Sequence, residues 1–190
     1  MKDLIVYFSR NGENYVNGKL VQLDKGNTEV AAEMLRSITG GDSFKIVMVK
    51  PYAKDYMTCI QQAKVDLESD ARPELATDWG DVSAYNRVFL GYPNYWGTMP
   101  MAVRTFLEQH DFKNQIIYPL CTHEGSGMGS SERDLKKLCP TALIAKGLAI
   151  HGGSVNKAGP LLVDWVDAAT ANQSQFKEGF SHGTDLSDIE

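Results

Sequence analysis

A stretch near the start of the chain combines residue types that bind an anion. The apolar run 4–8 ends abruptly at the polar sequence Ser9-Arg10-Asn11-Gly12, and a helical pattern begins after Gly26-Asn27-Thr28. A helix N-terminus offers unpaired backbone amides and the positive end of a dipole, so hydroxyl groups beside it complete a cradle for a phosphate dianion. The alternative is an ordinary helix N-cap at Asn27 or Thr28 with no ligand.

Two later loops favour the ligand-binding interpretation. The segment 93–98 is aromatic, with Tyr95 and Trp96 adjacent, and the segment 122–129 is dominated by glycine and small polar residues. Taken alone, each loop also has an ordinary structural interpretation. The aromatic pair would pack on a helix, the glycines would form turns, and His123 and Glu124 would be solvated. In open parallel sheets, however, ligands bind at the carboxyl ends of the strands. All three loops together match a ligand with a phosphate, a flat aromatic body and a polar edge, and flavin mononucleotide (FMN) fits this description.

The elements that position these loops alternate between strand and helix. Strands are predicted at 4–8, 44–49, 87–92, 115–121 and 145–151. Helices are predicted at 29–38, 56–69, 100–107, around Leu135 and Leu138, and at 161–169. The polar segment 12–25 is predicted to be an ordered insertion that forms a small hairpin. Such alternation implies right-handed crossovers and a parallel sheet, and hence an α/β three-layer sandwich with helices on both faces of five strands.

Composition limits the class of protein further. The chain has 190 residues, 43% of them hydrophobic, enough for one domain at 1–171 followed by a polar extension at 172–190. A net charge of -5 argues against nucleic acid or an anionic membrane as the main partner. Cys59, Cys121 and Cys139 are an odd number at wide spacing, which favours reduced thiols in a cytoplasmic protein. The short apolar run before Ser9 is expected to be neither a signal peptide nor a membrane span.

With these motifs in place, the chain resembles the flavodoxin-like family, in particular the branch in which an insertion splits the phosphate loop. The resemblance rests on Tyr7-Phe8-Ser9-Arg10 joined to Gly26-Asn27-Thr28, on the segment 91–100, and on the segment 122–127. It implies a five-stranded parallel sheet of order 2-1-3-4-5 and non-covalently bound FMN. Ser9 and Thr28 lie nineteen positions apart, whereas simple flavodoxins have a short turn there, so Asn14 and Tyr15 have no template and face either the ligand or solvent.

The resemblance also assigns roles to residues in the three loops. The first loop would surround the phosphate, the second would pass along the flavin ring with Gly97 supplying backbone groups near N5, and the third would meet the pyrimidine edge. The implied cofactor-binding residues are Ser9, Arg10, Asn11, Asn27, Thr28, Pro93, Asn94, Tyr95, Trp96, Gly97, Thr122, His123, Glu124, Gly125, Ser126 and Gly127. The four histidines do not have metal-ligand spacing, and no dedicated nucleophile is evident.

Several functions remain open at this point. The chain lacks the glycine signature of a dinucleotide-binding domain, the Gly-Lys-Ser/Thr of a P-loop, and the Asp that would end the third strand of a phosphoryl-accepting domain. One hypothesis is an FMN-dependent reductase that passes electrons from NAD(P)H to a quinone-like acceptor. A second is an electron carrier between proteins, which needs carboxylates around the flavin such as Asp55, Asp66, Glu68 and Asp70. A third is a non-redox flavin-binding module. The sequence leaves open the redox partner and the oligomeric state, including a homodimer.

Overall fold

The computed structural model describes residues 2–181, and for residues 172–181 it describes the backbone alone. The strands are β1 (Asp3–Tyr7), β2 (Gly12–Val16), β3 (Lys19–Leu23), β4 (Asp42–Lys45), β5 (Arg87–Pro93), β6 (Ile116–His123), β7 (Leu143–Ile144) and β8 (Leu148–His151). The helices are α1 (Asn27–Thr39), α2 (Tyr56–Glu68), α3 (Met101–Glu108), α4 (Ser131–Leu138) and α5 (Gly159–Ser181), with a 3-10 helix at Gly152–Lys157.

The main sheet is parallel and has the order β4-β1-β5-β6, with β7 and β8 both pairing along β6. Counting β7 and β8 as one interrupted strand, this is the predicted order 2-1-3-4-5. The prediction of a flavodoxin-like sandwich is therefore confirmed.

Helices cover both faces of the sheet, which explains why the central strands β1, β5 and β6 are largely apolar runs. Alternate residues of β1 enter opposite cores. Ile5 packs on the face covered by α1 and α5, and Val6 packs on the face covered by α2, α3 and α4. Because period-two alternation sends neighbouring side chains to opposite faces, both layers are bound to the same central strand.

Two predicted strands differ from the observed ones. The second strand ends at Lys45 rather than at residue 49, because Val47 and Val49 instead exchange backbone hydrogen bonds with the segment 74–76. The fifth strand is interrupted between Ile144 and Leu148. Gly147 turns toward α4 there and donates its N–H to Glu132 Oε1 at 2.6 Å, which removes it from the sheet ladder.

The predicted hairpin and the predicted cap of α2 both occur. At the turn between β2 and β3, Asn17 and Gly18 have φ angles of 51° and 80°, as a type I′ turn requires. Asp55 Oδ1 accepts the Thr58 N–H at 2.9 Å and caps α2. The last helix is longer than predicted, since α5 continues to Ser181 and includes the first part of the predicted extension. Residues 182–190 of that extension lie outside the described residues.

Across positions 2–181, none of the helices combines the length and hydrophobicity that crossing a bilayer requires.

Candidate functional site

A cleft of about 340 Å³ opens at the carboxyl ends of β1, β5 and β6. The sheet register brings these ends together, because Tyr7 pairs with Gly91 and Pro93 pairs with Thr122. The loops that follow the three strands therefore form one rim, and the hairpin β2–β3 and the start of α2 complete the walls.

The two halves of the split first loop meet at the start of α1. Gly26 occupies the N-cap position and makes no side-chain cap bond, and Ser9 Oγ instead accepts the Glu29 N–H at 3.1 Å. A Cβ atom at Gly26 would overlap Ser9 Oγ and the Arg10 carbonyl, so the junction requires glycine for its close approach. The insertion thus leaves the hydroxyl and the helix N-terminus side by side, as an anion site needs.

A buried pair of hydroxyl groups joins the first loop to the third. Thr28 Oγ1 lies 2.7 Å from Thr122 Oγ1, and both side chains line the cleft. One hydroxyl hydrogen is used between the two oxygens, so the pair retains one further O–H donor.

Arg10 ties the hairpin to the segment that precedes α2. Its Nη1 donates to the carbonyls of Ala53 and Lys54, and its Nη2 donates to the Glu13 carbonyl. Its Nε is buried and has no partner among the described residues. Arg10 lines the cleft as predicted, but the contacts of its Nη groups are structural, and Nε is the donor left for a ligand.

Both residues of the aromatic pair line the cleft, but their rings differ in exposure. Tyr95 is partly buried and packs edge-on against Phe8 at a centroid distance of 6.2 Å, and burial raises the pKa of its hydroxyl. Trp96 is 48% exposed, and its Nε1 donates to the Ile60 carbonyl at 2.8 Å, which orients the indole over α2. Trp96 is therefore the more accessible ring for a planar ligand.

Hydrogen bonds from the third loop and α4 hold the aromatic loop. Gly97 donates its N–H to Asn94 Oδ1 at 2.9 Å, and its carbonyl accepts the Ser130 N–H at 2.7 Å. Both backbone groups of Gly97 therefore have protein partners, and a bond from Gly97 to flavin N5 stays a prediction of the resemblance. The backbone N–H of Trp96, by contrast, has no hydrogen-bond partner in the described part of the chain.

Asp134 secures the same loop from below. It accepts hydrogen bonds from Thr98 Oγ1 at 2.8 Å and Ser130 Oγ at 3.0 Å, and it pairs with Arg104 at 3.2 Å. Burial alone would raise the pKa of Asp134, but these hydrogen bonds and the arginine charge lower it overall. The carboxylate therefore stays ionised and keeps its three partners.

The third loop contributes an imidazole and a carboxylate. His123 Nδ1 accepts the Gly125 N–H at 2.9 Å, and burial together with the neighbouring His151 lowers the pKa of His123. Glu124 Oε2 accepts the Asn17 N–H at 2.8 Å, while Glu124 Oε1 is buried without a partner in the described residues. Glu124 is thus a cleft residue in contact with the hairpin rather than a solvated one.

Most of the predicted site residues meet in this cleft. Asn11, Gly125 and Gly127 are the predicted residues that do not line it. Asn11 is exposed, and the Gly127 carbonyl accepts the Asn94 side-chain N–H at 2.9 Å. The cleft also includes five residues without a sequence assignment: Asn14, Tyr15, Tyr56, Ile60 and Ala63. The Asn17-Gly18 turn signal predicts a hairpin, but it does not show on which side that hairpin folds.

Among residues 2–181, no group of three or more His, Cys, Asp or Glu side chains is arranged to hold a metal ion.

The fold and the cleft define a doubly wound α/β protein in which the start of a helix and an exposed aromatic ring share one rim of the sheet. The family model described as Flavodoxin matches residues 2–169, and the chain belongs to the flavodoxin family. The family resemblance drawn from the motifs is therefore confirmed. A search of curated protein sequences gives no significant match.

Solved structures share this fold. A candidate flavoprotein from Bacteroides uniformis is 24% identical, with a TM-score of 0.69 over 87% of this chain and 97% of that one. A candidate flavoprotein from Bacteroides eggerthii is 27% identical, with a TM-score of 0.65 over 85% of this chain and 97% of that one. A flavoprotein from Lactobacillus acidophilus, solved in complex with FMN, is 19% identical, with a TM-score of 0.59 over 82% of this chain and 97% of that one.

Proposed function

We propose that this protein binds FMN non-covalently in the cleft, transfers electrons through it, and acts as an NAD(P)H-dependent reductase of quinone-like acceptors. One observation carries the proposal: an anion site at the start of α1 and the exposed Trp96 ring share one cleft. FMN as cofactor is supported by membership of the flavodoxin family and by the FMN complex of the Lactobacillus acidophilus neighbour.

The residues of the cleft fit the chemical groups of FMN. The phosphate matches the first amides of α1 together with the hydroxyl pair Thr28 and Thr122, which has one O–H to donate. Arg10 Nε and Glu124 Oε1 are buried and have no partner among the described residues, and both residues line the cleft. Buried polar atoms without partners are rare in native proteins, so these two sites mark polar positions at the edge of the cleft.

When bound, FMN supplies the electron chemistry, and the protein controls its position and access. The Trp96 indole provides a face for stacking, and the backbone N–H of Trp96 provides a donor beside the flavin ring. Asp134 and Ser130 keep that loop in one conformation. We accordingly propose the predicted residues that line the cleft as FMN ligands.

The position of the acidic side chains on α2 and its flanks favours the reductase hypothesis over the carrier hypothesis. The carrier hypothesis needs Asp55, Asp66, Glu68 and Asp70 around the flavin, and none of them lines the cleft. Asp55 caps α2, Asp66 accepts the Tyr52 hydroxyl at 2.6 Å, and Asp70 pairs with Arg72 at 2.9 Å. Asp55 and Asp66 therefore serve contacts within the fold, whereas the side chains of Asp70 and Glu68 are exposed at 69% and 66% and lie away from the cleft.

Visible spectroscopy tests both parts of the proposal, the binding of FMN and the reductase activity. FMN titration should produce a red-shifted flavin band at one equivalent, and NADH or NADPH added anaerobically should bleach it rapidly until a quinone restores it. A bound flavin inert to both donors would refute the reductase and favour the carrier. A colourless protein in excess FMN would refute the cofactor assignment.

A pair of serine variants locates the phosphate. Ser9→Ala removes the hydroxyl at the start of α1 and should weaken FMN binding while leaving riboflavin binding unchanged. Ser43→Ala, on β4 and away from the cleft, is the matched control and should alter neither. Equal losses for FMN and riboflavin would contradict the assignment of this end of the cleft to phosphate.

A further inference from the structure

The hairpin β2–β3 depends on a few contacts for its position. It forms a two-stranded sheet of its own and pairs with no other strand in residues 2–181. An isolated hairpin is marginally stable in water at best. The contacts at its two ends therefore determine where it lies.

One set of contacts fastens the base of the hairpin, the end away from the Asn17-Gly18 turn, to the start of α2. Glu13 donates its N–H to the Lys54 carbonyl at 3.1 Å, and Glu13 Oε1 accepts the Tyr56 N–H at 2.9 Å. The Tyr15 and Tyr56 rings stack at a centroid distance of 5.9 Å. Together with the Arg10 contacts, these bonds make this end the stronger attachment.

The tip of the hairpin is held on the opposite side of the cleft by fewer contacts. Glu124 Oε2 accepts the Asn17 N–H at 2.8 Å and lies 3.5 Å from His151 Nε2. Gly153 follows β8, and a Cβ atom there would overlap the Asn17 side chain. The tip thus rests on the loops after β6 and β8, and one side-chain hydrogen bond fixes it.

We propose that the hairpin is a strap across the FMN cleft, and that Glu124 is the positioning residue that holds its tip closed. This inference rests on the proposed FMN binding. Asn14 and Tyr15 of the strap line the cleft, so a ligand lies beneath it. Arg10 and Glu124 fasten opposite ends of the strap through their bonds to Lys54 and Asn17. With both ends attached, the strap covers the ligand, so strap opening limits the entry and exit of FMN.

A reversible cross-link tests the strap directly. The double variant Asn17→Cys/Gly153→Cys places two thiols close together, because a Cβ atom at position 153 would lie against the Asn17 side chain, and Cys59, Cys121 and Cys139 are buried. When the disulfide forms with FMN bound, we expect dissociation to be at least about tenfold slower than after reduction with dithiothreitol. When it forms without FMN, association should slow by a similar factor. Equal rates in the oxidised and reduced forms would overturn the strap.

Single variants test the strap without a cross-link. Glu124→Ala should release FMN about fivefold faster, as the loss of one typical hydrogen bond implies. Glu124→Gln retains an acceptor for the Asn17 N–H and should release FMN at close to the original rate. Glu124→Ala should lose its effect on release while the cross-link is closed, which separates the contact with Asn17 from a direct contact with FMN. Asp24→Ala, which removes an exposed carboxylate beside the hairpin, is the matched control and should leave the rate unchanged.

The outcomes separate the strap from the FMN assignment. FMN binding with normal affinity but with rates that respond to neither the cross-link nor Glu124→Ala would refute the strap alone. Absence of FMN binding in the unmodified protein would refute the proposed function, and the role of the strap with it.

Discussion

The buried hydroxyl pair of Thr28 and Thr122 allows folding and ligand binding to be separated. Their oxygens are 2.7 Å apart, and both side chains are almost fully buried, at 2% and 4% exposure. Valine has nearly the same shape as threonine but no hydroxyl. Thr28→Val and Thr122→Val each leave one buried hydroxyl without its partner, whereas the double variant removes both polar groups.

The expected magnitudes follow from this difference. Removing one partner of a buried hydrogen bond costs about 1–3 kcal/mol, whereas replacing both partners by apolar groups of the same shape is nearly neutral. For a protein of this size, a loss of about 2 kcal/mol lowers Tm by about 4–8 °C. Each single variant of the FMN-free protein should therefore be clearly less stable, and the double variant should recover most of the loss.

FMN affinity should follow a different pattern. We propose that the spare O–H of this pair binds phosphate, so the double variant should bind FMN more weakly even though its stability recovers. Urea unfolding without FMN measures the first effect, and FMN titration measures the second. Additive destabilisation in the double variant would refute the reasoning about the pair, and unchanged FMN affinity in that variant would remove both hydroxyls from the phosphate site.

Three further predictions concern other parts of the molecule. Trp96→Ala should weaken FMN binding and shift the flavin potential with little loss of stability, since the ring is 48% exposed, and Trp96→Phe should retain part of the binding; unchanged affinity and potential would exclude Trp96 from the site. Asp3→Ala leaves Arg87 buried without its 2.6 Å ion-pair partner and should cost about 3–5 kcal/mol in urea unfolding, while the FMN affinity of the folded protein stays the same. Because burial lowers the pKa of His123, its contribution to stability is complete above about pH 6.5 and declines as the pH falls through the lower folded-state pKa; His123→Asn should flatten this decline in unfolding curves between pH 8 and 5.

The sequence predicted the layers of the fold because local patterns specify them. Apolar runs at β1, β5 and β6 predicted strands buried on both faces, and Asp55 predicted the start of α2. The interruption at Gly147 could not be predicted, because it depends on a hydrogen bond to Glu132 on a different element. Tertiary contacts of that kind leave no periodic signal in the chain.

The parts of the candidate site that follow strand ends could be predicted from the sequence. The parts that depend on how the hairpin β2–β3 folds over the cleft could not. The three loops follow from topology alone, since parallel strands end at a common edge. The contributions of Asn14, Tyr15 and Tyr56 depend on the direction in which the hairpin folds, which Arg10 and Glu124 determine through long-range bonds. The difference in exposure between Tyr95 and Trp96 also could not be read from two adjacent aromatic letters.

The two ends of the sheet are built for different purposes. At the amino end, the Asp3 and Arg87 side chains are buried and fully paired, which suits a part of the molecule that stays fixed. At the carboxyl end, Trp96 has a φ of 55°, a conformation that costs a non-glycine residue about 1–2 kcal/mol, and buried atoms of Arg10 and Glu124 have no partner among the described residues. Because FMN would bind only the folded protein, the free energy of unfolding should rise with FMN concentration beyond the dissociation constant and offset part of this cost. Local conformational cost is thus concentrated where a ligand can offset it.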